Sequence, residues 1–165
     1  MTSVYLGIGS NIDRDRNIRT AVAGLKKKFG ELLLSSVYES AAYGFEGDNF
    51  FNLVAGFDTE LGIHDLMTEL RNMEISSGRE KQSKQFTPRS IDLDLLLYGD
   101  LVRHDDRIDV PRDDITRYAF VLCPLAQIAP LHIHPENGET FLNLWQSFEG
   151  KDQNIWPVEF NFENE

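Results

Sequence analysis

The sequence predicts an α+β fold, a ferredoxin-like sandwich in which helices cover one face of a mainly antiparallel sheet. Segments with the apolar patterns of strands and helices follow one another in the order strand, helix, strand, strand, helix, strand. The 165 residues are 41% apolar and contain no internal repeat or linker. We therefore expect residues 1–150 to form a single domain. Residues 151–165 form a C-terminal extension that either docks on this domain or frays.

The first half of the chain supplies a strand, a helix and two further strands. Residues 4–8 are a short apolar run that ends at glycines and a turn-prone Ser-Asn pair. In residues 16–29 the apolar positions recur at helical spacing among Arg and Lys, and Gly30 ends the helix. Residues 32–38 and 50–57 have strand patterns and flank a glycine-containing loop.

The second half begins with a helix over residues 64–77, which a glycine closes. A polar segment, 79–88, leads into the strongest strand pattern of the chain, residues 90–98. Further on, residues 120–125 form an apolar run that predicts a buried segment, and residues 142–148 predict a short last helix.

The charge balance narrows the class of partner. Sixteen basic and 27 acidic residues give a net charge of −11, which argues against general binding to nucleic acid or to anionic membranes. An anionic ligand must therefore meet a local cluster of basic side chains. No export signal and no membrane-spanning run is visible, and the single cysteine, Cys123, permits no internal disulfide. These features predict a cytoplasmic protein, and we expect a monomer.

Two acidic residues stand in the strongest predicted strand. Alternation of side chains places Asp92 and Asp94 next to each other on one face. The apolar residues of the other face are Ile91, Leu93, Leu95 and Leu97. Two carboxylates at this spacing suit Mg²⁺, which binds one or two carboxylates together with water and substrate phosphates. The alternative is a strand with one solvated face, but Asp is depleted in strands, so the pair favours a site.

A basic segment precedes these acids. Its positive charges are Arg79, Lys81, Lys84 and Arg89. A magnesium-bound triphosphate needs both signs of charge close together, and a loop of this kind could hold phosphate oxygens and close over a nucleotide. The alternative is an ordinary solvated loop.

Two more patterns place polar groups where a ligand site needs them. Glu74 falls within the apolar stripe of the second helix, which predicts a fixed partner for its carboxylate, in a functional site or in a purely structural network. Phe50 and Asn52 share one strand face, where a ring can stack on a flat heterocycle and an amide can bond its edge. Simple packing is the alternative for this pair.

Three other signals are set aside. Gly7 and Gly9 lack the third glycine of a dinucleotide-binding fingerprint and indicate a turn at the end of a strand. His132 and His134 have no third ligand nearby in sequence, so we expect a surface strand and not a metal site. Cys123 lies in an apolar run, which is typical of a small hydrophobe.

Over about residues 3–148 the chain resembles the 6-hydroxymethyl-7,8-dihydropterin pyrophosphokinase family. The most specific likeness is the pattern Pro-Arg-x-x-Asp-x-Asp, which here runs from Pro88 to Asp94. Supporting matches, in the same order along the chain, are Gly9-Ser10-Asn11, Phe50-x-Asn52, Glu74, Gly78-Arg79, Arg107, Val110-Pro111, Phe120 and Pro124-Leu125.

The resemblance implies transfer of pyrophosphate from ATP to the hydroxymethyl oxygen of the pterin, with release of AMP, in folate biosynthesis. By likeness to the family, Asp92 and Asp94 bind two Mg²⁺ ions and act in catalysis together with Arg79 and Arg89. The implied nucleotide-binding residues are Glu74, Arg79, Lys81, Arg89, Leu95, Arg107 and Arg112. The implied pterin-binding residues are Ser40, Ala41, Tyr43, Phe50, Asn52, Asp92 and Phe120.

The chain departs from the family pattern in three places. Gln85 and Thr87 stand in the basic segment, where the family has a basic and a small residue. Arg112 occupies the position of a family histidine, and Tyr118 that of an arginine. Ala41-Ala42-Tyr43-Gly44 lacks the family's prolines. These changes leave two alternatives open: a non-catalytic pterin- or nucleotide-binding relative, and a pyrophosphokinase for a different pterin-like alcohol.

Overall fold

Strands and helices follow the predicted order, and further elements come after them. The structure, a computed structural model, describes residues 1–41, 48–76, 91–150 and 152–163. In chain order the elements are β1 (Thr2–Ser10), α1 (Arg14–Phe29), β2 (Leu33–Leu34), β3 (Val37–Ser40), β4 (Phe50–Thr59), α2 (Ile63–Ser76), β5 (Asp92–Tyr98), β6 (Arg103–His104), β7 (Asp109–Val110), α3 (Asp114–Arg117), α4 (Ala119–Ile128), α5 (Phe141–Gln146) and β8 (Ile155–Val158).

The main sheet has the strand order β5-β1-β4-β3-β8, with β2 also paired to β4. Each of these pairings is antiparallel, as the sequence predicts. β6 and β7 form a separate two-stranded hairpin. β8 belongs to the C-terminal extension and pairs with β3 in the register Ser40 to Ile155.

One face of the sheet is covered by α1 and α2. Alternate residues of β1, β4 and β5 point into this layer, among them Leu6, Leu53 and Leu93. They pack with Ile18 of α1 and Leu66 of α2, both of which are fully buried. The apolar stripes that predict these two helices therefore face the sheet.

The second face is covered by α4 and α5, so the expectation that helices lie on one face alone is wrong. Val54 and Leu96 belong to this layer and pack in a cluster with Leu122 of α4 and Phe141 of α5. The apolar run 120–125 is thus a helix, which is apolar on most sides because it is buried between the sheet and α5. Next to α4, parts of β1, β4 and β5 line a cavity.

Two local irregularities alter the predicted strands. Ser35 interrupts the strand predicted over 32–38, because its Oγ accepts the hydrogen bond of the Val54 N–H (2.9 Å) in place of a backbone carbonyl. Between β1 and β5 the register passes from Tyr5 opposite Leu97 to Leu6 opposite Leu95. This bulge turns Leu97 toward the second face, so the prediction that Leu97 lies on the same face as Leu93 is wrong.

The histidine segment also differs from its prediction. The segment forms an isolated bridge between Ile133 and Thr140 and not an extended strand, and His134 is buried. The Nδ1 atom of His134 accepts hydrogen bonds from the backbone of Glu136 (3.1 Å) and Asn137 (3.3 Å), and burial lowers the pKa of this imidazole. His134 therefore shapes a turn, and the surface-strand prediction is wrong.

Two further expectations concern Cys123 and membrane-spanning segments. Burial raises the pKa of the Cys123 thiol, which agrees with a small hydrophobe and not a nucleophile. Among the described residues no helix has the length and hydropathy needed to span a membrane.

Candidate active site

A cavity of about 280 Å³ opens beside α4 on the second face of the sheet. Every predicted pterin-site residue that the structure describes lines it; these are Ser40, Ala41, Phe50, Asn52, Asp92 and Phe120. Tyr43 lies outside the described residues. Residues that are far apart in sequence thus meet around a cavity whose volume is close to the lower end of the range of small-ligand sites. We call this space the first cavity.

The amide of Asn52 is held in one orientation. Asn52 is buried, and its Nδ2 donates a hydrogen bond of 2.7 Å to Oγ of Ser40, which is also buried. Its Oδ1 lies 3.1 Å from where a Cβ would stand on Gly9, the residue opposite it in β1. Gly9 therefore leaves room for the amide, and a hydrogen-bonding group of known orientation lines the cavity.

Aromatic rings enter the first cavity from two separate elements. Phe50 lies at the start of β4, and Phe120 lies in the first turn of α4. The ring of Tyr118 stacks on Phe120, with ring centroids 5.1 Å apart and ring planes at 22°. Tyr118 also lines the cavity but was not among the predicted site residues. The apolar run 120–125 is compatible with a strand or a helix, so the sequence could not place Tyr118 one residue before a helix.

Asp92 and Asp94 lie on one face of β5, as predicted. Both carboxylates are partly exposed and line the first cavity together with Leu96. Between them in sequence, the Leu93 N–H donates a hydrogen bond of 2.9 Å to Oε2 of Glu74. The predicted partner of Glu74 is thus the strand that carries the two acids, and α2 holds this strand in place.

A second, wider cavity of about 750 Å³ lies on the α2 side of β5. The predicted nucleotide residues Glu74, Leu95, Arg107 and Arg112 all line it. Arg79, Lys81 and Arg89 lie outside the described residues. Further polar residues of its wall, not predicted from the sequence, are His64, Thr68, Arg71, Asp106 and Asp109. Arg71 lies three residues before Glu74 on the same helix, and this i,i+3 spacing was the signal that could have indicated it.

Arg112 stands where the two cavities adjoin. Its Nη2 lies 3.9 Å from Oδ1 of Asp94, and its Nε donates to Oδ2 of Asp114 at 3.2 Å. Burial opposes the charged form, but the carboxylates of Asp94 and Asp114 outweigh it and raise the pKa of Arg112. Asp94 lines both cavities, so the Asp94–Arg112 pair lies between the first cavity and the second.

The carboxylates fit magnesium. Among residues 1–41, 48–76, 91–150 and 152–163, no three His, Cys, Asp or Glu side chains form a cluster of the kind that encloses a metal. Mg²⁺ does not require one, because it retains water and takes phosphate oxygens as ligands. Two hard oxygen donors lie on a rigid strand, both in the first cavity and Asp94 also in the second, and they have the chemistry that such a magnesium site needs.

A histidine clamp fixes the β6–β7 hairpin, which borders the second cavity. Nδ1 of His104 lies 2.5 Å from Oδ1 of Asp109, and Nε2 lies 2.6 Å from Oε1 of Glu136. The hydrogen bonds to Asp109 and Glu136 raise the pKa of His104. The clamp therefore ties Asp109, a residue of the cavity wall, to the turn that follows His134.

Comparison with known proteins identifies the family. A family model described as 7,8-dihydro-6-hydroxymethylpterin-pyrophosphokinase (HPPK) matches residues 5–130. The chain belongs to this family. It is 39% identical over 137 residues to a 2-amino-4-hydroxy-6-hydroxymethyldihydropteridine pyrophosphokinase of Aquifex aeolicus, covering 82% of this chain and 85% of that protein. A protein of the same name from Methylorubrum extorquens is 37% identical over 134 residues, with 79% and 84% covered.

Longer proteins contain a similar region. The "Folic acid synthesis protein FOL1" of Dictyostelium discoideum is 36% identical over 134 residues, which are 80% of this chain but 20% of that protein. A Plasmodium falciparum HPPK-DHPS crystal structure superposes with a TM-score of 0.74 at 12% identity, covering 91% of this chain and 46% of that chain. The structural likeness confirms the ferredoxin-like fold, and the names of the relatives confirm the predicted family, pyrophosphokinase class and folate pathway.

Proposed function

We propose that the chain transfers the pyrophosphoryl group of ATP to the hydroxymethyl oxygen of 6-hydroxymethyl-7,8-dihydropterin and releases AMP. Membership of the family supports this activity, and the chain covers more than four fifths of the two bacterial relatives. The observation that carries the assignment of residues is the position of Asp92 and Asp94. They lie on the strand between a cavity lined by aromatic and amide groups and one lined by three arginines among acidic side chains.

The first cavity is proposed to bind the pterin. A flat heterocycle can stack against the rings of Phe50 and Phe120, and the oriented amide of Asn52 can bond to its edge. The carboxylates of Asp92 and Asp94 then lie beside the bound ring, where the hydroxymethyl group must be for the transfer. Binding in this pocket orients the attacking oxygen and excludes water from it.

The second cavity is proposed to bind ATP. Arg71, Arg107 and Arg112 bring positive charge to its wall, where triphosphate oxygens need it. Arg79, Lys81 and Arg89 stay predictions for phosphate contacts. Asp92 and Asp94 would hold Mg²⁺, which in this position lowers the pKa of the attacking hydroxyl and neutralises phosphate charge. Arg112, held between Asp94 and Asp114, keeps the Asp94 carboxylate at the boundary of the two cavities.

The test is AMP release from ATP and magnesium by the purified protein, with and without the pterin. We expect AMP only when the pterin is present. Asp92→Asn should lower turnover by about two orders of magnitude, because an electrostatic group at the reacting centre is removed. Asp100→Asn, an exposed residue in the turn after β5, is the matched control and should leave turnover unchanged.

Pterin-independent AMP release would contradict the assigned acceptor. Full turnover by Asp92→Asn would contradict the metal assignment. Pterin binding without any AMP formation would favour the non-catalytic alternative. The number of magnesium ions, the single domain over 1–150, the monomeric state, the absence of nucleic-acid or membrane partners and the cytoplasmic location stay predictions.

A further inference from the structure

The C-terminal extension contacts both walls of the first cavity. Residues 152–158 lie beyond the region 5–130 that matches the family model. Within this segment Gln153 contacts the junction of α3 and α4, while β8 pairs with β3. The α3–α4 junction and β3 come from distant parts of the sequence, and each lies next to residues that line the cavity.

Gln153 connects the end of α3 to the start of α4. Its Oε1 accepts a hydrogen bond of 2.9 Å from the Ala119 N–H, and its Nε2 donates one of 3.0 Å to the carbonyl of Arg117. The first N–H groups and last C=O groups of helices have no partner inside the helix, so one side-chain amide satisfies both ends here. Tyr118 is the residue between these two hydrogen bonds, and Phe120 follows directly.

Gly150 allows the Gln153 amide to come this close. A Cβ on Gly150 would lie 2.6 Å from Nε2 of Gln153 and 2.8 Å from the ring of Phe148. Any side chain at position 150 must therefore displace the amide. Glycine at this position and glutamine at 153 form one local arrangement that fixes the Tyr118–Phe120 corner.

Trp156 supports the other wall. It stands opposite Glu39 in the β8–β3 pairing, and the Glu39 carboxylate accepts hydrogen bonds from Asn49 (3.0 Å) and Arg14 (3.2 Å). These hydrogen bonds from Asn49 and Arg14 lower the pKa of Glu39. Arg14 further donates to the carbonyl of Asn49 at 2.9 Å. Asn49 directly precedes Phe50, so this network fixes the backbone from which the Phe50 ring enters the cavity.

We propose that Gln153 and Trp156 are positioning residues that set the separation of the Phe120 and Phe50 walls and thereby the affinity for the pterin. Neither residue lines the cavity; Gln153 acts through its two hydrogen bonds, and Trp156 through its pairing opposite Glu39. The identity of the ligand rests on the proposed function. The second cavity is lined by α2, β5, the β6–β7 hairpin and Arg112, and the hydrogen bonds of Gln153 reach none of its lining residues, so we expect ATP binding to change little.

The experiment measures equilibrium binding of 6-hydroxymethyl-7,8-dihydropterin at a fixed concentration of a non-hydrolysable ATP analogue with magnesium and, separately, of the ATP analogue with magnesium in the absence of the pterin. Gln153→Ala should weaken pterin binding about tenfold, since two hydrogen bonds at the corner are lost. Affinity for the ATP analogue should not change. Gly150→Ala should act in the same direction although Gln153 is intact, and Trp156→Ala, which removes the side chain opposite Glu39, should also raise the Kd of the pterin. Asp152→Ala, an exposed neighbour, is the matched control.

Wild-type pterin affinity in a folded Gln153→Ala protein overturns the proposal, and so does an equal loss of affinity for both ligands, which indicates general destabilisation. If the wild-type chain binds no pterin, the proposed function fails instead. The positioning role is then decided by NMR. Gln153→Ala should shift the ring resonances of Tyr118 and Phe120 and speed exchange of the Ala119 amide, and unchanged spectra overturn it.

Discussion

Replacing Glu74 by alanine tests how firmly α2 holds the strand that carries the two acids. The change removes a charged acceptor 2.9 Å from the Leu93 N–H. Hydrogen bonds to charged groups contribute about 1.5–3 kcal/mol, and since Glu74 is partly exposed we expect a loss of about 2 kcal/mol in the free energy of unfolding. For a chain of this size that lowers Tm by about 4–8 °C. Glu74→Gln keeps a neutral acceptor and should cost about 1 kcal/mol.

Urea unfolding measures the loss as a lower midpoint at constant m. Turnover at a series of magnesium concentrations measures its effect on the site, where we expect a higher magnesium requirement because Asp92 and Asp94 flank Leu93. Glu69→Ala on the same helix removes an exposed ion pair with Lys28 (3.3 Å) and should cost under about 1 kcal/mol. If Glu74→Ala is no less stable than Glu69→Ala and needs no more magnesium, the anchoring role of Glu74 is refuted.

Two further predictions concern Gly9, which lines the first cavity, and the histidine clamp. Gly9→Ala places a methyl group 3.1 Å from Oδ1 of Asn52, whose amide cannot move without losing its hydrogen bond. The affinity for the pterin should therefore fall several-fold in a binding titration. Gly62→Ala is the control and should bind the pterin normally, because nothing lies within 4 Å of the new methyl group. The pKa of His104 is raised by its two carboxylate partners, so its contribution to stability is complete below the unfolded pKa of about 6.5 and is lost as pH rises through the folded pKa. An NMR titration of the His104 ring should give a midpoint above that of an unfolded control, and a midpoint at or below the control value would show that the clamp does not form in solution.

Local periodicity predicted the parts of the site that lie within one element. The alternation that pairs Asp92 with Asp94, and Phe50 with Asn52, follows from strand geometry alone and agrees with the structure. The place of Glu74 in an apolar stripe likewise predicted a partner, and that partner is the Leu93 N–H. Such features depend on few residues and on the local geometry of one strand or helix.

Features set by contacts between distant segments could not be predicted in this way. The bulge that turns Leu97 depends on the fit of β1 to β5, and a short apolar run such as 120–125 is compatible with either a buried strand or a buried helix. His132 and His134 suggested a strand, but the hydrogen bonds of His134 form a turn. Tyr118 joins the site only because α4 packs on the sheet.

The position of Asp94 on the wall of both cavities has a thermodynamic consequence. A charged ligand on either side of β5 interacts with the Asp94 carboxylate and with Arg112 beside it. The free energies of binding of the two ligands are therefore coupled, and the coupling must be equal in both directions. A dissociation constant for either ligand of this protein has a meaning only at a stated concentration of the other.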